Sequence, residues 1–271
     1  MTAPSAEALD RSDALAWQDS FAAAPAEYRD RSGMSTTVTA AGYGRAFRAA
    51  PRSLFNRFLL APEERFQSAA AVSAAAEWLA LQAASVHAVE TSAPVGSMAH
   101  RHITGAGFRL SSETAKFWRE ALPLPLNRPT SLEIREIGAD RGNDFASVTC
   151  RGFGMSDALM PWISAIPGRP GWRIYLAYAD GVPVAAGGMH VQGDIAWLGW
   201  GATLPEYRSQ GGQGALLARR LQDGINAGVG LFNIETGNVG KDGHPGASYR
   251  NIERIGFKLS HVRHVFERPA G

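Results

Sequence analysis

The chain matches itself. Residues 99–111, AHRHITGAGFRLS, align with residues 248–260, SYRNIERIGFKLS, so that Arg101, Ile103, Gly107, Phe108, Leu110 and Ser111 fall on Arg250, Ile252, Gly256, Phe257, Leu259 and Ser260. Upstream, Glu90-Thr91 matches Glu235-Thr236, and Pro62, Glu63, Arg65 and Gln67 match Pro205, Glu206, Arg208 and Gln210. The offsets of 149, 145 and 143 residues drift in one direction, as small loop insertions would make them. An internal repeat of this kind is the first thing to test in a chain; chance identity in alanine-rich sequence is the competing reading. With 271 residues and 45% hydrophobic content there is room for two small cores or one large one.

Residues Leu122 to Thr130, LPLPLNRPT, hold three prolines and read as a linker, placing one domain at residues 1–128 and a second at 129–271. After it the pattern gives a strand at 131–138, helices near 142–153 and 156–165, and then strands RIYLAYADG, VPVAAGGMHVQ and DIAWLGWGAT. Asp180-Gly181 and Gly193-Asp194 suit tight hairpins between antiparallel strands. A helix from Gly212, the strand LFNIETG, a helix over Ser248 to Ile255 and a last strand KLSHVRHVFE complete a mixed α/β sheet. The first half shows no recognisable strand meander before its own PExRxQ segment. Period-two alternation puts Trp197 and Trp200 on opposite faces of one strand.

The halves differ most just after PExRxQ, where the second reads Gly211-Gly212-Gln213-Gly214 and the first Ser68-Ala69-Ala70-Ala71. Glycine lets a backbone approach a ligand without a Cβ in the way. PEYRSQGGQGALLARRL joins a strand to a helix through a basic, glycine-rich turn, where unpaired N–H groups and the positive end of the helix dipole converge on an anion such as pyrophosphate. No Gly-Lys-Ser/Thr follows, so it is not a Walker loop, and the preceding antiparallel meander does not fit the dinucleotide fingerprint. An ordinary strand-to-helix loop is the plain alternative.

VPVAAGGMHVQGDIAWLGWGATLPEYRSQGGQGALLARRL resembles the central strands and cofactor motif of GNAT acetyltransferases, Arg/Gln-x-x-Gly-x-Gly/Ala, which falls here on Arg208, Gly211 and Gln213. Gln213 departs from the usual small residue, although a Gly-x-Gln-x-Ala-Leu-Leu subgroup is similar. SYRNIERIGF is like the family's closing segment. The resemblance is clear over about residues 131–268 and faint before, as in tandem members with a degenerate N-terminal copy. It implies two GNAT-like domains and acetyl-CoA as cofactor. Gln210, Gly211, Gly212, Gln213 and Gly214, together with Arg208, would hold the pyrophosphate, and the strand ending Gly201-Ala202-Thr203 would pair with the pantetheine arm and polarise the thioester. Ser and Ala in place of Gly211 and Gly212 should weaken CoA binding while the helix survives.

Amine acetylation needs a base for the attacking nitrogen and an acid for the leaving thiolate. Glu235, at the end of LFNIETG, is the candidate base, directly or through water, with a structural partner for a loop or helix as the alternative suggested by the matching Glu90. The register counted back from Gly256 puts Ile252 where many family members carry an acid tyrosine. Tyr249 is the substitute phenol, and core packing its alternative. Ser248, beside Tyr249, and Asn251 are candidate cofactor contacts, Asn251 through a cofactor amide, with solvent-exposed helix polarity as its alternative. His244, in the loop KDGHPG near the expected opening, is a candidate acceptor contact with a plain surface loop as the better reading, while Phe153, Met155 and Trp162 suggest a partly apolar acceptor pocket, with core packing the better reading for Trp162.

Other classes are disfavoured. The net charge is +2 from 27 basic and 25 acidic residues, with no basic run interleaved with aromatics, which argues against nucleic acid. MTAPSAEALDRSDALAW is neither a secretory signal nor a membrane span. The single Cys150 fits core packing and a reducing cytoplasm. His190, His244, His261 and His264 share no metal-ligand spacing. The expected partner is a small-molecule or peptide amine, with no nucleic acid and no membrane. Two alternatives stand beside the enzyme: a catalytically inactive CoA-binding sensor or assembly protein, and an interaction scaffold that binds no CoA.

Overall fold

The computed structural model describes residues 3–62, 67–125, 130–238 and 244–269. The first half contains helices α1 (Ala6–Ala23) and α2 (Ala26–Ser32), strands β1 (Met34–Thr39), β2 (Gly42–Phe47) and β3 (Arg57–Leu60), α3 (Ala69–Leu81), β4 (Val86–Thr91), α4 (Met98–Gly105) and β5 (Arg109–Glu120). The second contains β6 (Glu133–Ile137), α5 (Gly142–Phe153), α6 (Met160–Ile163), β7 (Trp172–Ala179), β8 (Val182–Gln192), β9 (Ile195–Thr203), α7 (Gly212–Asn226), β10 (Leu231–Gly237), α8 (Ala247–Arg254) and β11 (Lys258–Pro269).

The second half follows its expected order. The β7–β8 turn puts Asp180 and Gly181 at φ of 48° and 80°, the left-handed pair that a tight hairpin requires. α5 ends on Gly154 in the left-handed conformation. The first half corrects one expectation: β1, β2 and β3 do form an antiparallel meander before its loop. MSTTVT and GYGRAF are rich in threonine and glycine and only weakly alternating, so their pairing comes from the sheet rather than from a local apolar pattern.

Among the described residues all strands belong to one 11-stranded sheet, ordered β1-β2-β3-β4-β11-β5-β10-β9-β8-β7-β6. Apart from β6, the list is a palindrome of repeat equivalents, with α3, β4, α4 and β5 recurring as α7, β10, α8 and β11. The last strand of each half is exchanged: β5 runs antiparallel to β10 of the second half, and β11 runs antiparallel to β4 of the first. The two exchanged strands also pair with each other at the centre. The proposed 128/129 boundary falls among residues outside the described set, but Arg119 of β5 donates to the carbonyls of Leu122 (2.8 Å), Pro123 (2.9 Å) and Ile255 (3.1 Å), fastening the start of the connection.

α1 crosses from one half to the other. Its Trp17 and Phe21 join Phe47 and Phe55 of the first half and Trp162, Trp172, Trp197 and Trp200 of the second in one buried cluster. Asp19 accepts from Arg169 (2.7 and 3.1 Å) and from the Trp172 indole (2.7 Å). On the other face, α7 and α8 cover Phe117, Phe232 and Ile234, while α3 and α4 cover Phe58, Val89 and Phe266. No helix among the described residues is long and apolar enough to cross a membrane.

Candidate functional site

β9 and β10 run parallel and pair from Leu231↔Ile195 only as far as Ile234↔Leu198. Beyond that, residues 199–203 of β9 have β8 on one side and no paired strand on the other. The equivalent strands of the first half stay together one residue longer, through Leu59↔Glu90. β9 also carries a bulge. Its register against β8 shifts between Gly188↔Gly199 and Ala186↔Ala202, and Trp200 sits there at φ +57°. A bulky residue in the left-handed region is a conformation held by its surroundings, and such strain gathers at functional sites. The first half lacks the insertion: three residues, 59–61, separate Phe58 from Pro62, whereas six, 199–204, separate Leu198 from Pro205.

The bulge corrects the reading of the two tryptophans. One extra residue reverses the alternation, so Trp197 and Trp200 point to the same face, and both rings pack on Trp17 at 6.1 and 5.5 Å.

At the mouth of the opening lies the glycine-rich loop. Ser209 and Gly211 adopt φ of +66° and +81°, and α7 begins with Gly211 as N-cap and no side-chain cap. The N–H groups of Gly212, Gln213 and Gly214 therefore have no intrahelical acceptor. In the first half one of the corresponding N–H groups is taken by the protein itself: Ser68 caps α3 by accepting from the Ala71 N–H at 3.3 Å. The contrast recurs one helix later, where Ser97 caps α4 and Gly246 leaves α8 without a side-chain cap. An anion that needs free N–H groups at a helix start finds them in the second half.

The remaining candidates surround this loop. Thr130 donates to the Gln210 carbonyl at 2.8 Å, and exposed Arg208 reaches the Gly152 carbonyl at 3.3 Å. Gly152 has no room for a Cβ, which would sit 2.9 Å from Ala202 and 3.1 Å from the Thr203 nitrogen, so α5 presses against the end of β9. The Gln213 side chain turns inward and donates to Ala202 O (2.7 Å), Thr203 Oγ1 (3.0 Å) and Ala186 O (3.3 Å), leaving only its backbone for a phosphate. Gly211 qualifies the expectation about substitution: its left-handed backbone makes serine there strained, and a Cβ on Gly212 would meet Leu132 at 3.0 Å.

On α8, Ser248 is exposed, and Asn251 accepts from Arg254 at 2.7 Å. Tyr249 packs edge-on against Phe117 of β5 at 4.8 Å, and burial with Glu253 nearby raises its phenol above the ordinary value. Ile252 is buried. Glu235 lies at the β10 side of the opening, its side chain 18% exposed, and is held by Arg263 at 3.0 Å and Lys116 at 3.9 Å. Burial and then neighbouring Asp13 push its carboxyl above the usual range, while Lys116 and Arg263 pull the other way. Glu90, its equivalent, is fully buried and paired with Arg57 at 3.1 Å.

Asp10, Asp13, Lys116 and Arg263 escaped the sequence reading because they come from α1, β5 and β11, far apart in the chain. The one available signal is that Asp10 and Asp13 lie three apart among Leu9, Ala14 and Trp17, a helix face otherwise destined for the core. Trp162 is fully buried and donates to Ser20 O at 2.6 Å, whereas Phe153 is exposed and Met155 packs at the edge of the same cluster. Cys150 is buried, its thiol pushed up to about 11, which leaves it inert. His190 packs tilted against Trp172, His261 meets Asp10 at 3.0 Å, and His264 packs edge-on against His100. His244 is exposed. Among the described residues no group of three or more His, Cys, Asp or Glu side chains is arranged to hold a metal ion.

A mixed sheet that opens beside a bulged strand, with an uncapped helix N-terminus at the opening and the whole unit repeated, is the tandem GNAT fold. The chain has that fold. Among solved structures it is similar to a GCN5-related N-acetyltransferase from Kribbella flavida, at 17% identity and a TM-score of 0.65 over 98% of each chain. A GCN5-related N-acetyltransferase from Sphaerobacter thermophilus is similar at 15% identity and a TM-score of 0.64, over 85% of this chain and 77% of that one. A tandem GNAT protein from the clavulanic acid biosynthesis pathway is similar at 16% identity and a TM-score of 0.58, over 97% and 96%. No family model and no curated protein matches the sequence.

Proposed function

We propose that the chain is an acetyl-CoA-dependent N-acetyltransferase acting on a small-molecule or peptide amine, with the cofactor held by the second half. The observation that carries this reading is the parting of β9 from β10 directly beside the uncapped start of α7. The free N–H groups of residues 212–214 suit the CoA pyrophosphate, and the unpaired edge of β9 suits an amide-bearing pantetheine arm. The amine nitrogen bonds to the acetyl carbon as its proton passes to Glu235, the C–S bond breaks, and that same proton is returned through water to the departing sulfur, so that CoA leaves as the thiol and Glu235 is again ionised. Calorimetry with acetyl-CoA tests it, one site per chain being the expected result. Ser and Ala at Gly211 and Gly212 should weaken binding by on the order of tenfold or more, since one lost charge-assisted backbone bond costs about 1.5–3 kcal/mol. Melting of the same variant without ligand separates this from the strain at Gly211. Glycines at Ser68 and Ala69 should create no second site, because β3 has no bulge. Two sites per chain, or undiminished affinity at Gly211/Gly212, would assign the cofactor to the wrong half.

If Glu235 is the base, turnover should fall as the pH drops through a midpoint above the ordinary glutamate value of about 4.3, since the ionised form is the active one and its pKa is raised. Glu235→Gln should lower kcat with little change in acetyl-CoA affinity. Unchanged turnover in a variant of lowered stability would mark Glu235 as an ion-pair partner only. The second reading, a CoA-binding sensor without catalysis, draws on buried Ile252 standing where the acid tyrosine is expected. Free thiol released on mixing acetyl-CoA with a panel of amines distinguishes the two.

A further inference from the structure

Arg220 is fully buried, yet among the described residues no ion pair or side-chain hydrogen bond joins it to a carboxylate. Its Nε donates to Leu216 O of its own helix, and its Nη1 donates to Gly188 O at 2.9 Å and Gly199 O at 3.1 Å. Burying a guanidinium on carbonyls alone is costly, and the desolvation lowers its pKa to about 10. β8 has been shaped to admit it: a Cβ on Gly187 would stand 2.8 Å from the Arg220 Cζ.

Gly188 and Gly199 are the register pair on one side of the β9 bulge. The pair on the other side is Ala186 and Ala202, and the carbonyls of both accept from the Gln213 amide, at 3.3 and 2.7 Å. Each of two side chains on α7 thus spans both strands, one before the bulge and one after it. They are seven residues apart, two turns along one face of the helix. Gly201, inside the bulge, leaves room for the Gln213 carbonyl, which a Cβ would approach to 3.0 Å.

We propose that Gln213 and Arg220 are positioning residues that fix the bulge at Trp200 and Gly201, so that α7 ties the phosphate loop rigidly to the strand expected to face the thioester. The inference rests on the proposed function for its catalytic consequence, though not for the grip itself. A dipole aimed at a developing oxyanion is effective only when it is held before the reaction begins.

Hydrogen exchange on the unliganded protein tests the grip without reference to activity. In Gln213→Met the amides of residues 199–203 should exchange at least about tenfold faster, while β7 and the start of β8 stay as in the wild type. Arg220→Met should do the same more strongly, and Arg220→Lys should recover part of the protection; if the Arg220 variants do not fold, the Gln213 variant decides. The kinetic arm is a split: kcat for acyl transfer lower by at least about tenfold, with CoA affinity within about twofold. Unchanged exchange at 199–203 overturns the proposal, and so does faster exchange with unaltered kcat. A wild type that binds no CoA sinks the proposed function instead, and the exchange measurement still decides whether α7 grips the bulge.

Discussion

Arg263→Met should lower the unfolding free energy by about 3–5 kcal/mol, the cost typical of breaking a buried ion pair by removing one partner. Arg263 is 1% exposed at the centre of the sheet, on the exchanged strand β11. It donates to Asp10 at 3.0 Å, Asp13 at 2.8 Å and Glu235 at 3.0 Å, with Glu90 at 3.9 Å. These partners sit on α1, β4 and β10, so one guanidinium joins both halves and the crossing helix. Without it, among the described residues, Asp10 keeps His261 at 3.0 Å, Asp13 and Glu235 share Lys116 at 3.6 and 3.9 Å, and Glu90 keeps Arg57 at 3.1 Å. Methionine matches the volume, so the loss is electrostatic rather than a cavity effect. Denaturant unfolding monitored by tryptophan fluorescence measures it. Adding Asp10→Asn to the variant should recover part of the loss, because one stranded charge is removed. A loss under about 1 kcal/mol would show that water reaches the cluster and screens it.

Trp162→Ala should cost a similar amount, about 3–5 kcal/mol, for a different reason. The ring is fully buried and its centroid lies 5.0 Å from Phe21, 5.6 Å from Phe47 and Phe55, 6.4 Å from Trp17 and 5.4 Å from Trp200. Truncation leaves a cavity that surrounding rings from two halves cannot fill by one small shift, which is the condition for the larger penalties. It also leaves the Ser20 carbonyl without its indole donor. Trp162→Phe should cost less, since most of the volume stays. Thermal and denaturant unfolding of both variants would check this ordering, and equal losses would assign the effect to the hydrogen bond. Because Trp162 supports Trp200, the alanine variant should also loosen the bulge, and hydrogen exchange at residues 199–203 reports that directly.

Much of the second half was legible because its signals are local. The hairpin at Asp180-Gly181, the helix beginning at Gly212 and the strand LFNIETG each follow from turn chemistry or apolar period within about a dozen residues. The repeat was legible too, since matched residues such as Glu90 and Glu235 keep their place even where one copy has lost its glycines. The glycine loop announced a close backbone approach, and the loop's left-handed Gly211 and uncapped helix agree with that chemistry.

The element types of the second half, the two copies and the difference between their loops thus follow from the order of residues. The assembled sheet sets where the last strand of each half goes, because β5 and β11 can satisfy the same backbone hydrogen bonds in either half and the choice depends on every neighbouring strand. It also decided that Trp200 faces the core, since a bulge is one inserted residue whose effect on alternation appears only against the partner strand. And it decided the surroundings of Glu235. A carboxylate's pKa and freedom depend on charges within a few ångströms, and here those charges arrive from Asp13, Lys116 and Arg263, on three elements that no sequence window contains together.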